Sequence, residues 1–377
     1  MSTFLSSKAA YLGFNYFTKI GPVKIKRLLA YFPDIATAFQ AEFGDLKRAG
    51  VKEALAEEFV YWRRSFQAEM IQENLAKNKI NFLSWEDLLY PKILLNISSP
   101  PPSFYYRGHL KERDSSNDYK LAVVGSRRFS AYSEKIINTL FPALIKAGIK
   151  IISGLALGVD TIAHQTTLTN QGITWAILGS GLTPKNIYPA ENFSLAERIV
   201  AQGGALISEF PPDFPPLKQN FPQRNRLIAG LCAATLIVEA PQKSGALITA
   251  NFALEEGREV LAVPGNIFSE LSIGANNLLK EGAYLVNQAS DILNIYGLET
   301  KSDPHAETPP IKSPLLNNSA EKLIYNIIKE ANEKSERPGV DEIIKKSQLD
   351  TALINSKLSI LELRGIIRQN SSYYELI

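Results

Sequence analysis

From Leu121 onward the chain alternates short apolar runs with stretches of helical length, and that alternation leaves few folds open. The runs are Leu121 to Val124, Ile149 to Ile152, Thr174 to Leu178, Ala205 to Ile207, Thr235 to Val238 and Val260 to Val263. Between them lie stretches such as Ser133 to Ala147, Asp160 to Thr169 and Ala246 to Glu256. Strands that are apolar throughout, not at alternate positions, are covered on both faces. A parallel sheet with crossover helices achieves that. The expected fold class is therefore α/β: a Rossmann-like, doubly wound, mostly parallel sheet.

The residues at the end of each run point to a ligand. The runs lead in turn to Gly125-Ser126-Arg127-Arg128, Ser153-Gly154, Gly179-Ser180-Gly181, Ser208-Glu209, Glu239-Ala240 with Ser244-Gly245, and Pro264-Gly265. Taken singly, each is a tight strand-to-helix turn. In parallel topology all share the sheet edge where ligands bind. Small residues there let a ligand's backbone come close, and helix N-termini behind them favour phosphate. Arg127 and Arg128 add permanent charge.

The stretch Lys218-Gln219-Asn220-Phe221-Pro222-Gln223-Arg224-Asn225-Arg226 emerges from the same edge and runs into the apolar Leu227-Ile228-Ala229. It reads as a loop feeding a helix. Three cations, a ring and several amides, with no acid among them, suit single-stranded nucleic acid. Glu209 and Glu239, at two strand ends, are expected to pair with Arg224 or Arg226 and hold those guanidiniums in place. The candidate nucleic-acid-contacting set is Gly125, Ser126, Arg127, Arg128, Gly154, Lys218, Phe221, Arg224, Asn225, Arg226, Ser244 and Gly245.

A chain of 377 residues is too long for one ordinary core, so several domains are expected. Residues 1–78 read as a helical domain, with helical periodicity through Ala9 to Phe17, Val23 to Phe32 and Leu55 to Phe66. Gly21-Pro22 before a basic helix resembles a helix-hairpin-helix turn, although Lys19 stands where such hairpins have an earlier glycine. Residues 79–298 form the Rossmann-like domain, whose first part, Ile80 to Gly108, reads as a proline-rich irregular connection. Residues 299–318, rich in Ser, Asp, Pro, Glu and Asn, read as a linker. Residues 319–377 show three helical patterns and a strand-like end, Ser371 to Ile377, as in a winged-helix domain. Its third helix offers only Lys357 and Arg364 as cations, too few for direct readout of duplex DNA.

Net charge is only +3, so a nucleic-acid site has to come from local clustering of cations. The single cysteine, Cys232, excludes an intrachain disulfide and any multi-cysteine metal site. No apolar run is long enough to span a bilayer. Met1 to Ala10 lack the basic-then-apolar order of a signal peptide, and a cytoplasmic location is expected. There is no G-x-x-x-x-G-K-[ST] stretch and no G-x-G-x-x-G after the first strand. Asp160 and His164 share one face of a helix, as an acid–base pair would, but Asp160 also suits the helix's first turn and His164 an apolar core. Ser126, Ser180 and Ser244 have no evident His and Asp partners. No enzyme chemistry and no cofactor are expected.

The motifs together resemble the DprA (Smf) family, the DNA-processing proteins of bacterial natural transformation. They are VGSRR (Val124 to Arg128), ISGLALGVDTIAH (Ile152 to His164), ILGSGL (Ile177 to Leu182), YPAEN (Tyr188 to Asn192) and ISEFPP (Ile207 to Pro212). FPQRNRLIAGL (Phe221 to Leu231), VEAPQKSGALITA (Val238 to Ala250), GREVLAVPG (Gly257 to Gly265) and GANNLLKEGA (Gly274 to Ala283) come after them in order. Departures are Thr167, Thr183, Phe210 and Ala275, where the family has alanine, aspartate, tyrosine and threonine. None removes a cation or glycine of the candidate site.

The resemblance implies sequence-independent binding of single-stranded DNA without ATP or metal, a homodimer through the Rossmann-like domain, and loading of the RecA recombinase onto incoming strands. By position, the family's DNA contacts fall on Arg127, with Arg128 beside it, on Lys218 and on Phe221. Two other readings stand beside it. One is a nucleotide enzyme like the phosphoribohydrolases of the LOG family, with Glu239 as the acid and Pro264-Gly265-Asn266 or Ser244-Gly245 as counterpart of their PGGxGT loop. The other is an interaction scaffold whose basic edge binds an acidic protein.

Overall fold

The apolar runs pair into a single sheet. The structure, a computed structural model, describes residues 6–110, 118–298, 319–333, 336–370 and 373–376. The chain divides into two compact units, Met1–Thr300 and Lys301–Ile377. In the first, the strands are β1 (Asn81–Ser84), β2 (Ser103–Gly108), β3 (Lys120–Val124), β4 (Lys150–Ser153), β5 (Thr174–Leu178), β6 (Ala205–Ser208), β7 (Ala234–Ile237), β8 (Glu259–Ala262) and β9 (Tyr284–Leu285). Their spatial order is β1-β2-β6-β5-β4-β3-β7-β8-β9. All pairings from β6 to β9 are parallel.

Continuous burial of β3, β4, β5, β6 and β7 follows from cover on both faces. Ala122, Val124, Ile152 and Ile177 belong to one core, while their neighbours Leu121, Val123 and Ile151 belong to another. Each such valine, leucine or isoleucine contributes about 1.5–3 kcal/mol by leaving water. From β3 the chain steps outward through β4 and β5 to β6, then returns to place β7 on the other side of β3. That reversal leaves a crevice at the carboxyl ends of β3 and β7, where a doubly wound sheet binds its ligands.

Ile80 to Gly108 departs from the expected irregular connection. It supplies β1 and β2, antiparallel to each other, with β2 antiparallel to β6. Pro100, Pro101 and Pro102 hid the strand, yet they end one residue before it, where the missing N–H costs no ladder bond. Phe104 and Tyr105 behind them are fully buried.

Helices Ser7–Tyr16, Pro22–Tyr31 and Glu53–Arg63 stand where helical periodicity placed them, joined by shorter ones at Ile35–Gln40, Phe43–Arg48 and Ala68–Lys77. Ser6 caps the first by accepting from the Ala9 N–H, and Pro22 opens the second at its first turn. They pack around Phe14, Phe39 and Phe59, whose ring centroids lie 5.2–5.4 Å apart. Asn15 fastens them to the sheet. It donates to the Glu209 carbonyl at 2.9 Å and accepts from the Tyr105 hydroxyl at 2.8 Å.

The second unit holds helices Ser319–Glu333, Val340–Ser347 and Thr351–Leu363 and a hairpin of Ile367–Asn370 with Tyr373–Leu376. Ile324, Ile328, Ile343, Leu358 and Ile367 form its core. Its buried Glu321 accepts from Lys357 at 3.4 Å and from Arg364 at 3.1 Å. The two cations of the third helix are therefore engaged inside the unit. The expected linker, 299–318, lies outside the described residues.

Candidate nucleic-acid interface

A cavity of ≈ 670 Å³ opens at the switch point, lined by the turn after β3, the turn after β4, the start of helix Asn220–Gly230 and the segment between β7 and helix Gly245–Glu255. Four cations on its wall are exposed: Arg127, Arg128, Lys218 and Lys243. Among the described lining residues the single acid is Asp160, which is buried. The wall therefore carries uncompensated positive charge.

The turn after β3 is held rigidly under its arginines. Ser126 donates its N–H to the Glu239 carbonyl at 2.7 Å, and its carbonyl accepts from the Val159 N–H at 3.1 Å. Its hydroxyl accepts from the Arg128 N–H at 3.0 Å. Gly158 passes directly beneath. Its φ is +86°, and a Cβ there would sit 2.2 Å from the Ser126 carbonyl oxygen. A side chain at 158 would displace the turn, which is why glycine stands there.

Lys218 and Phe221 are fixed by what lies under them. The Gly181 N–H donates to the Phe214 carbonyl at 2.8 Å, and the Asn220 N–H to the Leu217 carbonyl at 3.0 Å. A Cβ on Gly179 would lie 3.0 Å from the Phe221 ring, so that turn is the floor on which the ring rests. Tyr188 stands beside it, ring centroids 5.5 Å apart and planes tilted by 49°. Phe221 is half-buried and Tyr188 exposed.

Arg224 lines the cavity but is buried, and its guanidinium lies against Gly154, where a Cβ would meet it at 2.6 Å. It donates to the Gly154 carbonyl at 2.7 Å and to the Ile177 carbonyl, tying the ends of β4 and β5 together. Burial pushes its pKa down to about 10; Asp160 opposes the shift and Arg127 adds to it. It stays charged at neutral pH. Asp160 accepts from the Gly154 N–H at 3.0 Å and the Ala156 N–H at 3.3 Å. Its pKa is raised by burial, against the pull of Arg224 and those N–H groups.

Arg226 points elsewhere. It pairs with both carboxylate oxygens of Glu209 and donates to the Ser99 carbonyl. It is buried and is not among the lining residues. Arg226→Ala would strand a nearly buried carboxylate, and a stability loss of about 3 kcal/mol is expected in a urea melt. Oligonucleotide affinity, measured where the variant is still folded, is expected to stay within about twofold of the parent, because only rim and lining cations set it.

Asn225 donates to the Gly245 carbonyl at 3.3 Å, closing the cavity on that side. Ser244 caps helix Gly245–Glu255 by accepting from the Ala246 N–H at 3.2 Å. Lys243 and Tyr188 had no place in the candidate set. Both lie inside motifs of the family, so the signal was there, but a lone lysine and a lone tyrosine do not show which way they face.

One expectation is corrected and another is met. Glu239 pairs with neither arginine. Its carboxylate accepts from the Ser130 hydroxyl at 2.7 Å and the Ser130 N–H at 3.1 Å, holding Ser130, the N-cap of helix Ala131–Lys146. It is buried and is not among the residues lining the cavity. Asp160 and His164 take the structural places expected of them, Asp160 in the first turn of its helix and His164 in the core. His164 is fully buried with Nδ1 at 2.7 Å from the Thr174 hydroxyl, and burial lowers its pKa to about 3.

The comparisons bear on the family and the fold. The family model "DNA recombination-mediator protein A" matches residues 81–297. The protein Smf of Synechocystis is 37% identical over 297 residues, covering 78% of this chain and 73% of that one. The Escherichia coli protein Smf is 45% identical over 204 residues, 54% of this chain and 53% of that one, so the match spans about half of that relative. The structure of DNA processing protein A from Streptococcus pneumoniae superposes with a TM-score of 0.65 at 34% identity, covering 78% of this chain and 98% of that one. Family match, sheet order and the motifs lining the cavity coincide on the same residues, and the chain belongs to the DNA recombination-mediator protein A family.

Proposed function

We propose that this chain binds single-stranded DNA, without reading its sequence, in the cavity between β3 and β7, and serves as a recombination mediator in natural transformation. The observation that carries the reading is the lining itself. Four exposed cations and two accessible rings share one wall whose single acid is buried. Cations spaced around a groove track phosphates, and aromatic faces hold unpaired bases. The backbone amides and helix N-terminus at Ser244-Gly245 add to the attraction for phosphate. The family's description as a DNA recombination mediator supports the wider role, under which the chain protects incoming strands and loads RecA as a cytoplasmic homodimer. In that role residues 1–78 are a SAM- or helix-hairpin-helix-like module, 79–298 the DNA-binding core, 299–318 a linker and 319–377 a winged-helix-like module. No helix among the described residues is long and apolar enough to cross a membrane.

Fluorescence anisotropy with a labelled oligo-dT strand tests the core of the reading. Lys218→Ala and Arg127→Ala are each expected to weaken binding about tenfold at moderate salt and to lower the slope of log affinity against log salt by about one. Unchanged affinity and slope in both variants would remove DNA from this cavity. Adding RecA to the bound strand and following filament formation then tests mediation separately.

A further inference from the structure

We infer that Tyr188 is a second base-stacking position, and that with Phe221 it forms a bent step that selects strands whose neighbouring bases unstack easily. The inference rests on the single-stranded DNA reading of the cavity. Three observations carry it. Tyr188 is 47% exposed, a large apolar ring left open beside a charged cavity. It contacts Phe221 at 5.5 Å between centroids, too close for a base to slide between the two rings, so each ring offers only its outer face. Both rings, with Arg127, also line a smaller cleft to which Leu157 and Pro189 contribute. Leu157 is 42% exposed there and extends the apolar wall.

The tilt decides what can bind. Two successive bases in a stacked strand are nearly parallel, whereas the planes of Tyr188 and Phe221 differ by 49°. A base on each ring must therefore be turned away from its neighbour. Arg127 lines both spaces and offers a cation to the phosphodiester joining two such nucleotides. Every base has a face to stack, so the step reads no hydrogen-bond pattern, but the strand must give up stacking between those two bases. Adenines stack on each other strongly and thymines weakly. The step thus favours thymine-rich over adenine-rich single strands, and a duplex cannot enter it without opening.

Affinities of the full chain for oligo-dT and oligo-dA, measured with Tyr188→Ala and Tyr188→Phe, test this. Tyr188→Ala is expected to weaken oligo-dT binding about tenfold with an unchanged salt slope, because a ring and not a phosphate contact is lost. The ratio of oligo-dT to oligo-dA affinity is expected to fall in the same variant. Tyr188→Phe is expected to keep both affinity and ratio. A thermal melt guards against misfolding, and Tyr188→Phe guards against loss of the hydroxyl as the cause. Parental oligo-dT affinity in Tyr188→Ala, or an unchanged ratio, overturns the inference. If Lys218→Ala still weakens binding in the same assay, the DNA reading survives that failure. If the parent protein does not bind oligo-dT, both fall together.

Discussion

Arg224→Ala is expected to destabilise the first unit by about 3–5 kcal/mol, the cost of leaving a buried charge without its partner. The guanidinium holds the Gly154 and Ile177 carbonyls and is the main counterweight to the burial of Asp160. Removing it leaves two strand ends untied and a carboxylate in an apolar setting. The pH dependence identifies the cause. Asp160 already titrates above its ordinary value of 3.8 because of burial. A group whose folded pKa is raised costs nothing below its unfolded value, where it is protonated in both states, and costs most once the pH has passed its folded pKa. Without Arg224 that folded pKa climbs further. The variant's deficit is therefore expected to be largest near neutrality and to shrink as the pH falls toward 3.8. Urea unfolding of parent and variant across that range measures it. A deficit under about 1 kcal/mol, or one that does not change with pH, contradicts the assignment of Arg224 as the clamp of this site.

His164 is expected to dominate the protein's loss of stability in mild acid. Thr174 spends its hydroxyl proton on the Ile151 carbonyl at 2.7 Å, so it must accept from Nδ1–H of His164. Nε2 then carries the lone pair, buried and without a hydrogen-bond partner. Protonating it would place a charge and an unsatisfied N–H in the core, and Arg224 opposes it too, which is why the pKa falls from 6.5 to about 3. A depressed histidine gives its full stability above the unfolded pKa, and that contribution drains away as pH falls through the window between 6.5 and about 3. At 1.36 kcal/mol per unit the whole window amounts to roughly 3–5 kcal/mol. His164→Leu removes the titration while Thr174 keeps its bond to Ile151. Its urea midpoint is expected to fall less than the parent's between about pH 6.5 and about pH 4. Parallel pH profiles would show that acid acts elsewhere.

Both predictions rest on side chains whose role depends on depth. In sequence, Arg224 is one of three cations in a polar stretch, and His164 is one apolar-flanked imidazole four residues from an acid. Nothing local separates a clamp from a contact. Lys218 and Arg224 differ because the helix starting at Asn220 turns position 224 toward the ends of β4 and β5 and leaves position 218 just before its first turn. Arg226, two residues on, faces Glu209 for the same reason. Glu239 meets neither arginine because Arg224 is held by the Gly154 and Ile177 carbonyls and Arg226 by Glu209, while Glu239 holds Ser130, the cap of the helix that follows.

The six apolar runs were enough to indicate a doubly wound, mostly parallel sheet, and the order of the motifs carried the resemblance to the family. The sheet is written in periodicity over short stretches, which local chemistry enforces, and the resemblance in the motifs themselves. Only the tertiary structure decided which members of the candidate set face the cavity, because burial and pairing depend on residues far apart in the chain. It moved Arg226 to a scaffold and Arg224 to a buried clamp, and brought Lys243 and Tyr188 to the wall. It also added β1 and β2, whose proline-rich approach conceals a strand until a partner, β6, satisfies its backbone.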